Sequence, residues 1–183
     1  KLFSRYFYSS SSINTLVDHY KKFSIVLKKK FIKKTPIKIL EIGCNDGVFI
    51  KPLSKLNCEI IGVDPAKNII KKIKKKENIY LINDFFNIKT AKKIIKNSGY
   101  QDLILASNVY AHINEISSVT KAVNMCLSNK GTFIFEVHYL LNLINENQYD
   151  MIYHEHIYYY SFMSAASLLG LHNLVIYDYE KTN

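Results

Sequence analysis

The run "IKILEIGCNDG", Ile37–Gly47, decides the fold class, because a buried strand pattern passes directly into a turn bounded by two glycines. The first part of the run is mostly apolar and β-branched, which is typical of a strand. Gly43 and Gly47 permit a tight turn whose backbone can approach a ligand, and Asn45 between them is a residue type that tolerates positive φ. The run therefore predicts a strand, a ligand-binding turn and the start of a helix.

The same alternation of strand and helix patterns continues along the chain. Short apolar runs predict further strands at Glu59–Val63, Ile79–Ile82, Asp102–Ala106, Gly131–Val137 and Leu174–Tyr179. Apolar residues at helical spacing predict helices between them, at Phe49–Leu56, Ile69–Ile73, Ile88–Ile95 and Ile116–Leu127. A leading helix at Ile13–Lys30 comes first, and Ser161 and Gly170 are expected to bound a late one. This order predicts an α/β fold, an open and mainly parallel sheet with helices on both faces.

Composition excludes several classes of protein. The 183 residues suit one domain, and the longest apolar runs are too short to cross a bilayer. The N-terminal residues show no charged-then-apolar leader, so they are read as the interior of a longer chain, and a cytoplasmic location is predicted. Cys44, Cys58 and Cys126 form no CxxC pair, so neither a disulfide framework nor a zinc ribbon is predicted.

The formal charge of +10 raises the question of nucleic-acid binding. Arg5 is the only arginine, and arginine is the favoured planar donor to phosphates and bases. The lysines are spread along the chain and are expected to form solvated helix faces. We therefore expect a small-molecule ligand, with neither nucleic acid nor membrane as a partner.

Polar residues follow the predicted strands where each strand ends. Asp64 closes the second strand, Asp84 follows the third, Asn108 follows the fourth, and Glu136 lies at the end of the fifth. In an open parallel sheet, ligands bind beyond these carboxyl ends. The candidate functional residues are therefore expected to share one edge of the sheet.

The glycine turn has the wrong chemistry for a dinucleotide or a triphosphate. Its spacing is not G-x-G-x-x-G, and it lacks the lysine and Ser/Thr of a P-loop. Glu41 and Asp46 would repel a diphosphate and favour a cation, whereas Asp64 is placed to accept both hydroxyls of a ribose. A ligand with a ribose and a positive charge but no phosphate suggests S-adenosylmethionine.

The segment "LEIGCNDG" resembles the first motif of class I S-adenosylmethionine-dependent methyltransferases, with asparagine and aspartate in the middle of E-x-G-x-G-x-G. The resemblance implies strand order 3-2-1-4-5, with the sixth strand beyond. It implies a leading helical segment at 1–35 and a methyltransferase domain at 36–183. It also implies which residues hold the cofactor. The adenine is held by Asp84 and Phe85, and the ribose by Asp64. The methionine moiety is held by Glu41, Gly43, Asn45, Asp46 and Gly47.

A second segment, "MIYHEHIYYYS" at Met151–Ser161, concentrates titratable side chains. His154 and His156 are two positions apart in a segment without helical periodicity, unlike the i, i+4 histidines of zinc proteases, so no metal site is predicted. An isolated histidine of this kind is most often a satisfied polar residue at the border of the core.

The "YHEH..Y.S" pattern, however, resembles the signature of the sugar C-methyltransferase family, which methylates C-3 of nucleoside-diphosphate-linked 4-keto-deoxysugars. "RYFYSSSS", "SNVYAHI" and "FEVHYLLNLI" resemble the same family in the same order. The resemblance implies a substrate loop at 149–161, with His156 as the general base. It implies further site residues at Tyr153, Glu155 and His112 for catalysis, Asn108 for the cofactor, and His154, Glu136 and either Tyr6 or Tyr8 for the substrate.

These residue types suit methylation of carbon. The carbon must first lose a proton, and an adjacent ketone spreads the resulting charge into an enolate, so a base with a near-neutral pKa is needed. Tyrosine hydroxyls or His112 would donate to the enolate oxygen, and Glu155 would either orient an imidazole or bind a sugar hydroxyl. An O- or N-methyltransferase of another small molecule is the alternative, and a nucleic-acid-binding protein ranks lower.

Overall fold

The sheet has the predicted order and direction. The computed structural model describes residues 7–32 and 36–182, and its five strands are all parallel in the order β3-β2-β1-β4-β5. The strands are β1 (Ile37–Ile42), β2 (Cys58–Val63), β3 (Ile79–Ile82), β4 (Gln101–Ser107) and β5 (Leu127–Glu136). Successive strands are thus added on one side of β1 up to β3 and on the other side from β4 onwards. The point of reversal, between β1 and β4, is where open α/β sheets bind ligands.

Helices cover both faces of the sheet because strand side chains alternate between two cores. Ile39 and Ile60 enter one core with residues of α1, α2 and α3, whereas their neighbours Leu40 and Ile61 enter the other with residues of α4, α5 and α7. The helices are α1 (Asn14–Lys30), α2 (Ile50–Leu53), α3 (Lys67–Ile70), α4 (Ile88–Ser98), α5 (Ile116–Cys126), α6 (Leu140–Asn145) and α7 (Phe162–Gly170). Across the described ranges, no helix combines the length and apolarity that crossing a membrane would require.

The start of α7 is as predicted, but the residue that caps its end is Leu171 and not Gly170. Ser161 accepts a hydrogen bond from the Ser164 backbone N–H, and the Ser164 side chain accepts one from the Ser161 backbone in return. This capping box satisfies N–H groups that the first helical turn leaves without partners. Gly170 is the last residue of the helix.

The predicted sixth strand is wrong. Leu174–Tyr179 forms no strand, although Leu174 and Ile176 pack against the second core while Val175 and Tyr177 are exposed. It contacts β5 through side chains, with the Tyr177 hydroxyl 3.0 Å from Thr132 Oγ1. Alternating hydrophobicity sets which side chains face the core, but a strand also needs a backbone ladder, and the pattern does not supply the partner.

The leading segment packs against the sheet layer instead of forming a separate unit. Tyr20 and Phe23 of α1 stack on Phe49, with ring centroids 4.6 and 5.4 Å apart. Stacked aromatic pairs add about 0.5–1.5 kcal/mol to the effect of burying their surface. This packing places α1 beside the carboxyl ends of the strands.

Gly43→Ala should destabilise the fold, because Gly43 has φ +69° and a Cβ there would overlap a methyl group of Val109. Left-handed backbone costs a non-glycine residue about 1–2 kcal/mol, and overpacking adds about 1–3 kcal/mol. Denaturant unfolding should therefore give a loss of roughly 2–5 kcal/mol. Gly170→Ala is the control, since no described atom beyond its chain neighbours and its own helix backbone lies within 4 Å of its Cβ position. An equal loss in both variants would contradict the prediction.

Candidate functional site

One continuous cleft borders the carboxyl ends of the strands and extends along β5 towards Leu127. Of the predicted site residues, the cleft is lined by Tyr8, Gly43, Asn45, Asp64, Phe85, Asn108, His112, Glu136, Tyr153, His154, Glu155 and His156. Glu41, Asp46, Gly47 and Asp84 are outside this lining. Tyr6 lies outside the described residues.

The turn after β1 has the predicted backbone. Gly43, Asn45 and Gly47 have φ values of +69°, +48° and +79°. The N–H groups of Gly43 and Cys44 both donate to the Val63 carbonyl at the end of β2, at 2.8 and 3.2 Å. The turn is thereby fixed against the neighbouring strand, where its backbone borders the cleft.

Asp64 is a buried carboxylate at the end of β2. Its two oxygens accept hydrogen bonds from the backbone N–H groups of Asn45 and Ala66, each at 2.8 Å. Burial raises the pKa of this carboxyl, and the two backbone hydrogen bonds partly oppose that shift. Because each carboxylate oxygen can accept more than one hydrogen bond, acceptor capacity remains for a hydroxyl pair in the cleft.

Glu41 is buried beneath the turn, and its Oε2 has no hydrogen-bond partner among the described residues. Burial raises the pKa of this carboxyl well above its usual value, and the carboxylates of Asp64 and Asp46 raise it further. A cationic ligand near the turn would offset this clustering of negative charge. Glu41 therefore fits the electrostatic part of the prediction without lining the cleft.

Asp84 and Phe85 differ in their placement after β3. An Asp84 carboxylate oxygen accepts the Phe85 backbone N–H at 2.8 Å and so holds the local turn. The Phe85 ring is 46% exposed and borders the cleft. A flat apolar ring so placed offers a surface on which a base can stack.

Three histidines meet in the part of the cleft that is formed by the segments after β4 and β5 and the loop before α7. The rings of His112 and His138 lie 4.8 and 5.3 Å from the ring of His156, measured between centroids. They come from the segment after β4, the end of β5 and the loop before α7. Among the described residues, no group of metal-ligating side chains has the arrangement to hold an ion. Imidazole rings can take up and release protons, so the cluster is suited to proton transfer.

The hydrogen bonds of His156 define its neutral tautomer. Nδ1 lies 3.0 Å from the Met151 carbonyl oxygen, which can only accept, so Nδ1 carries the proton. Nε2 is then the acceptor, and it lies 3.0 Å from the Tyr153 hydroxyl, which donates to it. His156 is 9% exposed and Tyr153 is 42% exposed, and both line the cleft, with the more exposed tyrosine hydroxyl bonded to the basic nitrogen.

His112 has the same tautomer for the same reason. Its Nδ1 donates to the Glu155 carbonyl oxygen at 2.8 Å, which leaves Nε2 as an acceptor in the neutral ring. Burial lowers the pKa of His112, and His156 lowers it further. The pKa of His138 is lowered by burial and then by the other two histidines. Both shifts favour the neutral form of these two rings.

Asn45 and Asp46 bind the leading segment. Asn45 Oδ1 accepts the Ser10 backbone N–H at 3.1 Å, and the Asp46 carboxylate accepts hydrogen bonds from Ser9 and Ser11. Because Asn45 also lines the cleft, it contacts both the segment and the ligand side of the turn.

The sequence analysis missed His19 and Tyr20, which α1 brings to the cleft. His19 Nε2 lies 2.7 Å from Glu136 Oε1, and Glu136 Oε2 has no partner in the described part of the chain. Burial raises the pKa of Tyr20, the Glu136 and Glu41 carboxylates raise it further, and side-chain hydrogen bonds to Ser107 and Asn108 oppose the shift. The helical pattern predicts α1 but not the strand ends that it faces.

Comparison with known proteins gives matches over most of the chain. A family model described as "Methyltransferase domain" matches residues 13–178. C-methyltransferase NovU of Streptomyces niveus is 28% identical over 97% of this chain and 42% of its own length. A ubiquinone biosynthesis O-methyltransferase of Pelagibacter ubique is 30% identical over 61% of this chain and 45% of its own length. The chain thus spans less than half the length of either curated relative.

A solved structure agrees with the fold. The plantazolicin methyltransferase BpumL, in complex with SAH, superposes with a TM-score of 0.62 and 19% sequence identity, over 83% of this chain and 61% of that one. At this identity the likeness concerns the arrangement of strands and helices.

Proposed function

The chain belongs to the methyltransferase domain family, and from that premise we propose that it transfers a methyl group from S-adenosylmethionine to C-3 of a nucleoside-diphosphate-linked 4-keto-deoxysugar. The observation that carries the proposal is the Tyr153–His156 pair, a hydrogen-bonded acid–base couple in the same cleft as the glycine turn. The similarity to a C-methyltransferase along 97% of the chain supports it.

The residues after β1, β2 and β3 suit S-adenosylmethionine, which supplies an electrophilic methyl group when bound. The turn from Gly43 to Gly47 would border the methionine end, where a cation would stabilise the ionised form of the buried Glu41 carboxyl. Asp64 has acceptor capacity for the two ribose hydroxyls, and Phe85 offers a ring to the adenine. A buried acceptor beside a positive-φ turn fits this ligand better than it fits a diphosphate.

His156 is proposed to take the proton from C-3 through Tyr153. The C-3–H bond breaks, its proton passes to the Tyr153 oxygen, and the Tyr153 hydroxyl proton passes to His156 Nε2, while the electron pair of the broken bond enters the enolate. Burial, followed by the Glu155 carboxylate, raises the pKa of Tyr153, which disfavours a lasting phenolate. The positive charge therefore resides on His156, whose Nδ1–H is held by the Met151 carbonyl.

The donors to the enolate oxygen are more restricted than the residue types alone suggest. Neutral His112 already donates from Nδ1 to the Glu155 carbonyl, so its Nε2 can accept but not donate. His112 therefore resembles a second base, and the hydroxyl of Tyr8 at the cleft is the better donor candidate. Glu155 acts on Tyr153 through its negative charge.

Tyr153→Phe should lower turnover at least tenfold, because it removes a hydrogen bond to the charged imidazole worth about 1.5 kcal/mol and interrupts the path to Nε2. Steady-state kinetics with saturating donor measures the change. Tyr159→Phe is the matched control: its ring contacts His156 edge-on, but its hydroxyl bonds the Met151 carbonyl at 3.4 Å. Equal turnover in the parent chain and Tyr153→Phe would contradict the relay.

O-methyl transfer is the second candidate, because several ubiquinone biosynthesis O-methyltransferases are also similar to this chain. Their similarity covers 52% to 61% of the chain, against 97% for the C-methyltransferase. A hydroxyl acceptor needs no ketone, so the acceptor itself distinguishes the two reactions.

The proposal is tested with labelled S-adenosylmethionine and pairs of nucleotide-linked deoxysugars that differ only at C-4. We expect label transfer to 4-keto sugars and none to the matching 4-hydroxy sugars, because only the ketone acidifies C-3. A catechol is included as an O-methyl acceptor. Transfer to the 4-hydroxy sugar or the catechol alone would replace the proposal with O-methylation.

A further inference from the structure

The leading segment Tyr8–Ser12, here called the strap, is bound to the turn that follows β1. Asp46 accepts the Ser11 hydroxyl at 2.6 Å and the Ser11 backbone N–H at 3.1 Å, and it also accepts the Ser9 hydroxyl. Asn45 accepts the Ser10 N–H at 3.1 Å and donates from Nδ2 to the Tyr8 carbonyl at 3.2 Å. Two adjacent residues of the turn therefore hold four consecutive residues of the strap.

These contacts leave Asp46 facing the strap and not the cleft. Asp46 is absent from the cleft lining, whereas Asn45 beside it is part of that lining. Lys72 Nζ lies 3.4 Å from the Ser9 hydroxyl, so a positive charge borders the same contact. Hydrogen bonds that an ionised carboxylate accepts are stronger than neutral ones, which makes Asp46 the principal anchor.

The strap carries Tyr8 to the cleft that Tyr153 also lines. Burial raises the pKa of Tyr153 most, and Tyr8 is among the nearby groups that raise it further. At its other end the strap leads into α1, which His19 joins to Glu136. Fixing the strap therefore fixes the position of Tyr8 relative to the Tyr153–His156 pair.

We propose that Asp46 is a positioning residue, which anchors the strap to the turn after β1 and thereby holds Tyr8 beside Tyr153 in the acceptor pocket. The inference rests on the proposed function for its kinetic consequence, but the anchoring itself is measurable without a substrate. It assigns Asp46 to the acceptor side of the reaction, whereas the sequence motif assigns Asp46 to the donor.

Amide hydrogen exchange tests the anchor directly. Asp46→Ala should accelerate exchange of the Ser10 and Ser11 amides, which donate to Asn45 and Asp46. Asp18→Ala is the control, because Asp18 is an exposed carboxylate on α1 paired with Lys21. Unchanged exchange in Asp46→Ala would overturn the inference whatever the acceptor proves to be.

Kinetics with S-adenosylmethionine and a nucleotide 4-keto sugar tests the consequence. Asp46→Ala and the double variant Ser9→Ala/Ser11→Ala should each raise the acceptor KM or lower kcat by about tenfold. The triple variant that combines all three substitutions should show no larger loss than either, because the same hydrogen-bond network is lost in each case. Calorimetric donor affinity should be unchanged in all three. Asp46→Asn keeps one carbonyl oxygen that can accept from both serine hydroxyls but loses the negative charge, so it should restore part of the activity.

The outcomes separate this inference from the proposed function. One outcome is faster exchange of the strap amides in Asp46→Ala together with no turnover of keto sugars by the parent chain. It would support the anchoring role of Asp46 and refute the proposed sugar substrate. Weaker donor binding in Asp46→Ala, with normal binding in the double serine variant, would make Asp46 a donor ligand and overturn the inference.

Discussion

His156→Asn is expected to lower turnover by about a hundredfold to ten-thousandfold, the usual contribution of a positioned general base. Asparagine can still donate to the Met151 carbonyl, but it offers no basic nitrogen to Tyr153. Donor affinity should be unchanged, because the proposed donor contacts lie on the turns after β1, β2 and β3. Single-turnover kinetics and donor calorimetry measure the two quantities separately.

Hydrogen exchange at C-3 distinguishes a base from a residue that only binds the sugar. With no methyl donor present, the parent chain should exchange the C-3 hydrogen with deuterated water, and His156→Asn should not. His172→Asn is the matched control, since His172 bonds the Ser117 hydroxyl at 2.9 Å and is absent from the cleft lining. Undiminished exchange in His156→Asn would transfer the base role to His112, whose Nε2 is also an acceptor.

Asp64→Ala is expected to weaken S-adenosylmethionine binding by roughly 2–3 kcal/mol, or about 30- to 150-fold, if two charge-assisted hydrogen bonds to the ribose are lost. The fold should also lose stability, because the backbone N–H groups of Asn45 and Ala66 lose their acceptor. Calorimetry well below the unfolding midpoint measures the affinity of the folded chain alone.

Asp102→Ala provides the control for that loss of stability. Asp102 accepts the Lys38 backbone N–H at 3.0 Å, but it lies near the start of β4, at the opposite edge of the sheet. The Asp102→Ala variant should have a lower free energy of unfolding than the parent chain but the same affinity for S-adenosylmethionine. Equal donor affinity in Asp64→Ala and the parent chain would remove Asp64 from the donor site.

The parallel sheet and the glycine turn could be predicted because each depends on local chemistry, whereas the strand order was implied by the resemblance to class I methyltransferases. Strand periodicity with intervening helices restricts the sheet to parallel units, and Gly43, Asn45 and Gly47 all adopt the positive φ that their residue types allow. The sixth strand could not be predicted in the same way, because Leu174 and Ile176 have the required alternation without a backbone partner.

The grouping of the candidate residues in space was predictable, and their individual contacts were less so. The motif resemblance brought His112, Tyr153 and His156 together, and the structure places them in one cleft. It did not show that Asp46 faces the serines of the strap, because a carboxylate in a turn suits a ligand and a hydroxyl equally. It also missed His19, since a helical pattern does not identify the strand that a helix faces.

The position of the transferred methyl group tests the central claim most directly. The chain is incubated with S-adenosylmethionine carrying a carbon-13 methyl group and a nucleotide-linked 4-keto-deoxysugar, and the product is analysed by two-dimensional NMR. We predict a methyl carbon bonded to C-3 of the sugar, with the ketone at C-4 retained. A methyl carbon bonded to a sugar oxygen, or label absent from the sugar, would contradict the account.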